Sequence, residues 1–231
     1  SLISVVGIAL GMTVLITVLS VMNGFQKEVR TRMLSAVAHV QIQGRNDRLA
    51  NWQKTAEVAK QHPRVKAASP FINAQGLLTS GNQVKGAYLR GVLPETEATV
   101  DDISKLMSRG SMEVLKPGDF SIVLGDSLAR SLGVTLGDKV VLVAPQGQVT
   151  PAGVLPRLRQ FTVVGTFLIG HHEIDAGLGL IHIEDAQRLY RMEDNVTGVR
   201  LKLDDLFNAR QVSYELAGKI PDDAIVSDWT S

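Results

Sequence analysis

The chain contains no cysteine, which excludes a disulfide scaffold, a thiolate zinc site, an iron–sulfur cluster and a cysteine nucleophile. It also lacks a glycine-rich phosphate-binding loop, so it does not bind a nucleotide through a Walker motif. An excess of basic charge is missing as well. The 24 Lys and Arg residues face 23 Asp and Glu residues, whereas a dedicated nucleic-acid-binding protein carries a basic excess. We therefore expect no nucleic-acid partner, and a hydrophobic share of 45% in 231 residues is sufficient for a folded core.

Charge is entirely absent from the first 26 residues, and residues 2–22 are almost all apolar. About 20 such residues form a helix that crosses a hydrocarbon layer of roughly 30 Å. A signal peptide or a buried core helix is the alternative, but a signal peptide would have a charged start and a small-residue cleavage site. Gly7 and Gly11 have the GxxxG spacing that allows a second membrane helix to approach closely. Residues 1–35 are thus predicted to form a transmembrane helix that continues as a stalk.

The orientation of this helix is left open by charge alone. Lys27, Arg30 and Arg32 follow the apolar run and would favour a cytoplasmic location for what comes next. The rule compares both flanks of a span, however, and only one flank is present.

The remaining residues alternate between strand-like and helix-like patterns, which predicts an α+β fold. Two strand–helix–strand units of similar length are expected at the two ends of this part. Their predicted elements are residues 38–44, 51–62 and 65–69 at one end and 199–203, 208–218 and 224–227 at the other. The strand at 65–69 is expected to stop at Pro70, and a hairpin is expected around residues 80–82. We interpret residues 36–95 and 195–231 as two halves of one split subdomain and residues 96–194 as an inserted, β-rich subdomain.

The inserted part contains strands at 120–124, 139–144, 161–167 and 180–183 and helices at 126–133 and 184–191. A connection of about 14 residues, 145–159, separates two of these strands, although two to five residues would suffice. Its prolines restrict the backbone, so less conformational entropy is lost when a partner binds. The apolar residues Val154 and Leu155 precede Arg157 in the sequence, and Leu158 lies between Arg157 and Arg159. A partner-binding loop and a loop packed back on its own domain are both open at this point.

Two groups of residues resemble catalytic or metal sites. Residues 125–128 (GDSL) match the nucleophile block of a lipase and esterase family, but no histidine follows near the C-terminus to act as the base for Ser127. We therefore interpret Asp126 or Ser127 as the N-cap of a helix. His171, His172, Glu173 and Asp175 are acceptable metal ligands, and in an extended segment three of them would share one side. Because glycines surround them, a solvated loop is preferred, and no metal or other cofactor is expected.

Several short motifs resemble one family. Residues 7–11 (GIALG) and 18–25 (VLSVMNGF) resemble the first transmembrane helix of lipoprotein-releasing ABC transporter permeases of the LolC/LolE type. The further matches are 122–125 (IVLG), 132–134 (LGV), 164–167 (VGTF) and 183–186 (IEDA). The connection at 145–159 resembles the family's hook through Thr150, Pro151, Gly153, Pro156 and Arg159, and we call it the hook segment. Val154, Leu155, Arg157 and Leu158 depart from the hook pattern, and His171-His172 falls outside the family pattern.

The resemblance implies a fold, a location and a function. The family belongs with macrolide-exporter-type permeases, in which a porter-like and a β-rich subdomain lie outside the cytoplasm, between the first two transmembrane helices. The resemblance therefore implies a bacterial inner-membrane protein with a periplasmic domain. This protein would pass outer-membrane lipoproteins to a soluble carrier. The implied partners are a LolA-like carrier, a LolE-like second subunit or second copy, a LolD-like cytoplasmic ATPase, lipoprotein substrates and membrane lipid. The residues implied to bind the carrier are Thr150, Pro151, Ala152, Gly153, Val154, Leu155, Pro156, Arg157 and Arg159.

Catalysis is not expected in this chain, because the implied ATP hydrolysis belongs to the separate ATPase. Two alternatives stay open. One is an efflux-type permease that docks a periplasmic adaptor. The other, from a different class, is a membrane-anchored hydrolase that uses Ser127 or a metal at His171.

Overall fold

The computed structural model describes residues 12–13, 39–150, 153–220 and 224–228, and it describes only the backbone at 146–150 and 153–156. The predicted transmembrane helix and stalk, with Gly7 and Gly11, lie outside the described residues apart from 12 and 13. Within the described part, no helix combines the length and hydropathy needed to cross a bilayer. The described residues from His39 onward belong to one compact unit.

The described residues form one sheet of ten strands. The strands are β1 (Val40–Gly44), β2 (Val65–Ser80), β3 (Gln83–Val92), β4 (Met107–Gly110), β5 (Ser121–Gly125), β6 (Lys139–Thr150), β7 (Gly153–Phe167), β8 (Leu178–His182), β9 (Gly198–Leu203) and β10 (Ala224–Asp228). Their order is β10-β1-β9-β2-β3-β8-β5-β7-β4, and β6 pairs with both β2 and β7. Strands from the two ends of this unit, β1, β9 and β10, therefore lie side by side. Because all ten strands join in one sheet, the division into a split and an inserted subdomain stays a prediction.

Six α-helices accompany the sheet in the described residues. They are α1 (Trp52–Lys60), α2 (Pro94–Val100), α3 (Asp126–Leu132), α4 (His172–Gly177), α5 (Ile183–Tyr190) and α6 (Ala209–Ala217). The mixed helix-and-strand fold expected from the sequence is confirmed. The predicted helices 51–62, 126–133, 184–191 and 208–218 correspond to α1, α3, α5 and α6. The sequence patterns did not predict α2 or α4.

Two clusters of buried apolar side chains hold the helices on the sheet. The larger one joins buried residues of α1, α3, α5 and α6 to strand residues such as Ile42, Ile72 and Leu142. The smaller one includes Ile103, Met112 and Phe167 and covers part of the sheet beside β5 and β8. Each fully buried side chain of this size contributes about 1.5–3 kcal/mol relative to an exposed one.

Strand β2 contradicts the prediction that a strand stops at Pro70. It continues through Pro70, which pairs with Val199 of β9, and runs for 16 residues to Ser80. Proline suits an extended strand because its fixed φ is compatible with one, and it removes only a single N–H donor. The hairpin predicted around residues 80–82 is confirmed, since Ser80 pairs with Gln83.

A cluster of buried ion pairs surrounds Arg200 of β9. Strand alternation places Arg200 on the face away from Val199 and Leu201, and on that face Arg200 is only 1% exposed. Its guanidinium forms ion pairs with Glu97 and with Asp101, the latter at 3.0 Å between Nη2 and Oδ2. Glu97 also accepts a hydrogen bond from Ser69 Oγ at 3.1 Å. The outer face of β9 is buried because α2 covers it, and α2 supplies Glu97 while Asp101 follows directly.

Candidate functional site

The hook segment is a β-hairpin and not the long irregular loop that the sequence predicted. Strands β6 and β7 extend from the sheet and remain paired to their ends, where Thr150 is opposite Gly153 and Val149 is opposite Val154. Pro151 and Ala152, which stand between these two strands in the sequence, lie outside the described residues. The sequence prediction missed this because prolines and glycine interrupt the alternation that indicates a strand.

Two prolines mark an interruption in the pairing of this hairpin. Ala144 is opposite Arg157, but the next paired residues are Gln148 and Leu155. Three residues of β6, beginning with Pro145, thus lie opposite Pro156 alone. Proline has no N–H to donate to a neighbouring strand, and extra residues in one strand increase its twist. The hook segment consequently has a base that belongs to the sheet and an end that continues beyond it.

The predicted carrier-binding residues occupy different parts of this hairpin. Thr150, Gly153, Val154 and Leu155 lie in its end as backbone positions, and Pro156 lies at the interruption. Arg157 and Arg159 lie at the base, two residues apart and so on one face of the strand. The Nε atom of Arg157 is shielded from solvent and has no hydrogen-bond partner.

Arg159 contacts an aromatic residue that no sequence pattern indicated. Its guanidinium carbon lies 4.1 Å from the centre of the Phe120 ring, and Phe120 meets Phe161 edge-on with ring centres 5.6 Å apart. Phe120 has a positive φ of 47°. The buried carboxylate of Asp185 stabilises this turn, accepting hydrogen bonds from the backbone N–H of Gly118 at 2.8 Å and of Phe120 at 3.2 Å. Asp185 is therefore a positioning residue for the base of the hook segment.

The opposite face of the hairpin base is apolar and open to solvent. Leu158 is 62% exposed and lies opposite Val143, which in turn lies opposite Leu77 of β2, 48% exposed. The sequence indicated Leu158 only as an apolar residue of the hook segment, and Leu77 is distant in the chain and carried no local signal. Only the pairing of β2 with β6 brings the two side chains onto one surface.

Ser127 lies in a structural setting that does not resemble a hydrolase site. It is in the first turn of α3, where its Oγ receives a hydrogen bond from Arg130 at 3.0 Å. A nucleophilic serine requires instead a base that accepts its proton. The predicted cap is wrong in detail, because the N-cap residue is Gly125 and no side chain caps this helix. Gly125 is required by close packing, since an added Cβ would lie 2.3 Å from the carbonyl oxygen of Asp175.

The expected loop at His171 and Asp175 is a short helix, α4. Both carboxylate oxygens of Asp175 accept backbone hydrogen bonds, from Ile169 at 2.8 Å and from Gly170 at 2.9 Å. Asp175 is buried and closes the turn before α4. Within the described part of the chain, no three potential ligands of His, Asp or Glu type are grouped as a metal would require.

Comparison with known proteins identifies a family. A family profile described as MacB-like periplasmic core domain matches residues 1–218. The chain is 44% identical over 230 residues to the "Lipoprotein-releasing system transmembrane protein LolC" of Xylella fastidiosa (strain Temecula1), covering 100% of this chain and 55% of that relative. It is 43% identical over 231 residues to the LolC protein of Neisseria meningitidis serogroup B, covering 100% of this chain and 56% of that relative. The chain thus spans about half the length of these relatives.

A solved structure shares the fold. The periplasmic region of MacB from Actinobacillus actinomycetemcomitans superposes with a TM-score of 0.55 at 14% identity, covering 84% of this chain and 89% of that one. At this identity the likeness concerns the fold alone.

Proposed function

Since the chain belongs to the family of MacB-like periplasmic core domains and is of the LolC/LolE type, we propose that it is part of a permease subunit that releases lipoproteins from the bacterial inner membrane. In this proposal, residues 1–35 cross the membrane and the described domain lies in the periplasm. The chain contributes binding surfaces and transmits movement, while a cytoplasmic LolD-like ATPase hydrolyses ATP. A LolE-like subunit or a second copy completes the membrane assembly, which acts on lipoprotein substrates within membrane lipid.

The hook segment is the part that we assign to carrier binding. The observation that carries this assignment is the proline-interrupted hairpin, which continues beyond the sheet and whose base exposes Leu158. Exposed apolar surface next to guanidinium groups suits a protein partner with an apolar groove and acidic residues at its edge. A paired hairpin loses less conformational entropy on binding than an irregular loop of equal length, so ordering it on binding costs less free energy.

The pairing of Ala144 with Arg157 provides a direct test. Replacing residues 145–156 by Asn-Gly would close the hairpin with a two-residue turn of a favoured type and leave the sheet intact. We expect the full chain with this replacement to lose capture of the purified LolA-like carrier while keeping its thermal unfolding midpoint. Pro156→Ala and Arg159→Met should each weaken carrier binding more mildly.

The matched control is Val84→Ser, which removes an exposed apolar side chain from the neighbouring β2–β3 hairpin. It should leave carrier capture unchanged. Undiminished capture by the shortened hairpin would contradict the assignment of the hook segment. Capture of a periplasmic adaptor protein in place of the carrier would favour an efflux permease instead.

A further inference from the structure

A cavity of about 580 Å³ lies where strand β2 changes its neighbour. On one edge, β2 pairs with β9 as far as Phe71 and with β6 from Leu77 onward. The intervening residues of β2 have no strand partner on that edge in the described part of the chain. This interruption in the sheet leaves space for the cavity, which extends to Pro145 at the base of the hook segment.

Two backbone groups at this interruption are satisfied by side chains. The N–H of Asn73 donates to Thr197 Oγ1 at 3.0 Å, and the hydroxyl of Tyr190 donates to the carbonyl of Gln75 at 3.0 Å. These two groups are therefore not free to pair with a partner peptide, whereas side chains of the cavity wall can contact a ligand.

Arg90 is the exceptional side chain of this wall. It lies opposite Asn73 on β3, and its Nε is shielded from solvent without a hydrogen-bond partner. The two nearby buried carboxylates, Glu97 and Asp101, are paired with Arg200. Burial lowers the pKa of Arg90, and the charge of Asp101 opposes that change. A solvent-shielded N–H donor that is not used is costly, and native proteins usually satisfy such a donor with a partner or a ligand.

The charges of the cavity wall favour a ligand with one negative charge. Arg48 and Arg90 contribute two positive charges and Asp47 contributes one negative charge, so the wall has a net charge of about +1 at neutral pH. Arg48 donates to the carbonyl of Arg191 at 3.0 Å, which fixes its guanidinium at the rim. A doubly charged phosphate would be repelled by Asp47, and the net charge of the wall would neutralise it only in part.

The rest of the wall is suited to an organic ligand. Tyr88, 64% exposed, lies beside the buried Leu178 and Met192 on the cavity wall. The volume lies within the range of roughly 300–1,000 Å³ that is typical of sites for small organic molecules and exceeds what a bare inorganic ion fills. Planar guanidinium groups bind carboxylates through two parallel hydrogen bonds.

We propose that this cavity is a binding site for a single carboxylate carried on a peptide with apolar neighbours, with Arg90 as its principal ligand. The carboxylate comes either from an acidic side chain or from a peptide C-terminus. This site meets the hook segment only at Pro145 and does not depend on the function proposed for that segment.

Four soluble probes test the proposal on the full chain in phosphatidylcholine nanodiscs, with binding measured by calorimetry. Acetyl-Leu-Glu-Leu-amide carries a side-chain carboxylate, and acetyl-Leu-Gln-Leu with a free C-terminus carries a terminal one. Acetyl-Leu-Gln-Leu-amide is the neutral match, and dihexanoylphosphatidylglycerol presents a phosphodiester. We expect saturable binding of at least one carboxylate peptide and binding about tenfold weaker or more for the neutral peptide.

Arg90→Met should weaken binding of the carboxylate peptide by about tenfold or more. The same change at the exposed Arg109 should leave that binding unchanged. Tyr88→Asp places a carboxylate at the rim without altering Arg90, so it should compete with the peptide and keep the chain folded. If Arg90 serves only to balance the buried carboxylates, Arg90→Met will lower the unfolding midpoint and Tyr88→Asp will not affect binding. That result would overturn the proposal, as would binding of the phosphodiester alone or of no probe.

Discussion

Arg159 of the hook segment stacks on Phe120, with its guanidinium carbon 4.1 Å from the ring centre. This contact joins β7 to the turn that precedes β5, and Asp185 holds that turn through two backbone hydrogen bonds. The base of the hook segment is therefore attached to the core of the domain by a short series of contacts. Its geometry should respond to changes at residues that no carrier touches.

The stacking of Arg159 on Phe120 should be measurable as a coupling energy. In a double-mutant cycle with Arg159→Met and Phe120→Leu, we expect about 0.5–1 kcal/mol of coupling in the free energy of unfolding, because Arg159 is exposed to solvent. Urea denaturation of the two single variants and the double variant supplies the value. Strict additivity of the two changes would show that the contact contributes nothing.

Asp185 should be more important for stability than an exposed residue with a similar role. Asp185→Asn replaces one acceptor oxygen by a donor that faces a backbone N–H, and we expect a loss of about 1–3 kcal/mol in the free energy of unfolding. The matched control is Asp138→Asn, since Asp138 accepts from the backbone N–H of Thr135 at 2.7 Å in an exposed turn. Equal losses for the two variants would contradict the importance of burial.

Arg200 should be among the least replaceable residues of the domain. Arg200→Met leaves Glu97 and Asp101 buried without their cation, and breaking a buried pair in this way costs about 3–5 kcal/mol. Lys202→Met, two residues along β9 and partly exposed, should cost far less. In contrast, the triple variant Glu97→Gln, Asp101→Asn and Arg200→Met removes all three charges and should recover much of the loss. Denaturant unfolding of the three variants checks this, and a triple variant as unstable as Arg200→Met would refute it.

Asp101 should make stability depend on pH. Burial raises the pKa of Asp101 to about 6, although the charge of Arg90 opposes that change. Because the folded-state pKa lies above the unfolded value of about 3.9, this group stabilises the fold most below about pH 4, and the contribution is lost as pH rises through about 6. Unfolding free energies measured from pH 4 to pH 7 should fall with pH in the natural chain and less steeply in Asp101→Asn. Parallel profiles would rule out Asp101 as the titrating group.

The site was predicted in part from the sequence. The length and prolines of residues 145–159 indicated a special segment, and the carrier-binding role implied for residues such as Arg159 stays a prediction. The hairpin itself was missed because its prolines break the two-residue alternation. No local signal indicated the roles of Phe120 and Leu77, and Asp185 stood out only as part of a family motif. Their roles depend on residues 39, 81 and 65 positions away along the chain respectively.

The sequence alone determined the class of fold and the family. Both depend on patterns among neighbouring residues, namely the apolar N-terminal run, the mixed alternation of strands and helices and the short family motifs. Local sequence patterns do not predict the order of the strands in a sheet. The structure alone decided that α2 covers β9 and buries Arg200, and that β2 passes from β9 to β6 and leaves a cavity at Arg90. Both outcomes depend on pairing between distant segments, in which one side chain becomes buried or exposed according to what the rest of the chain places beside it.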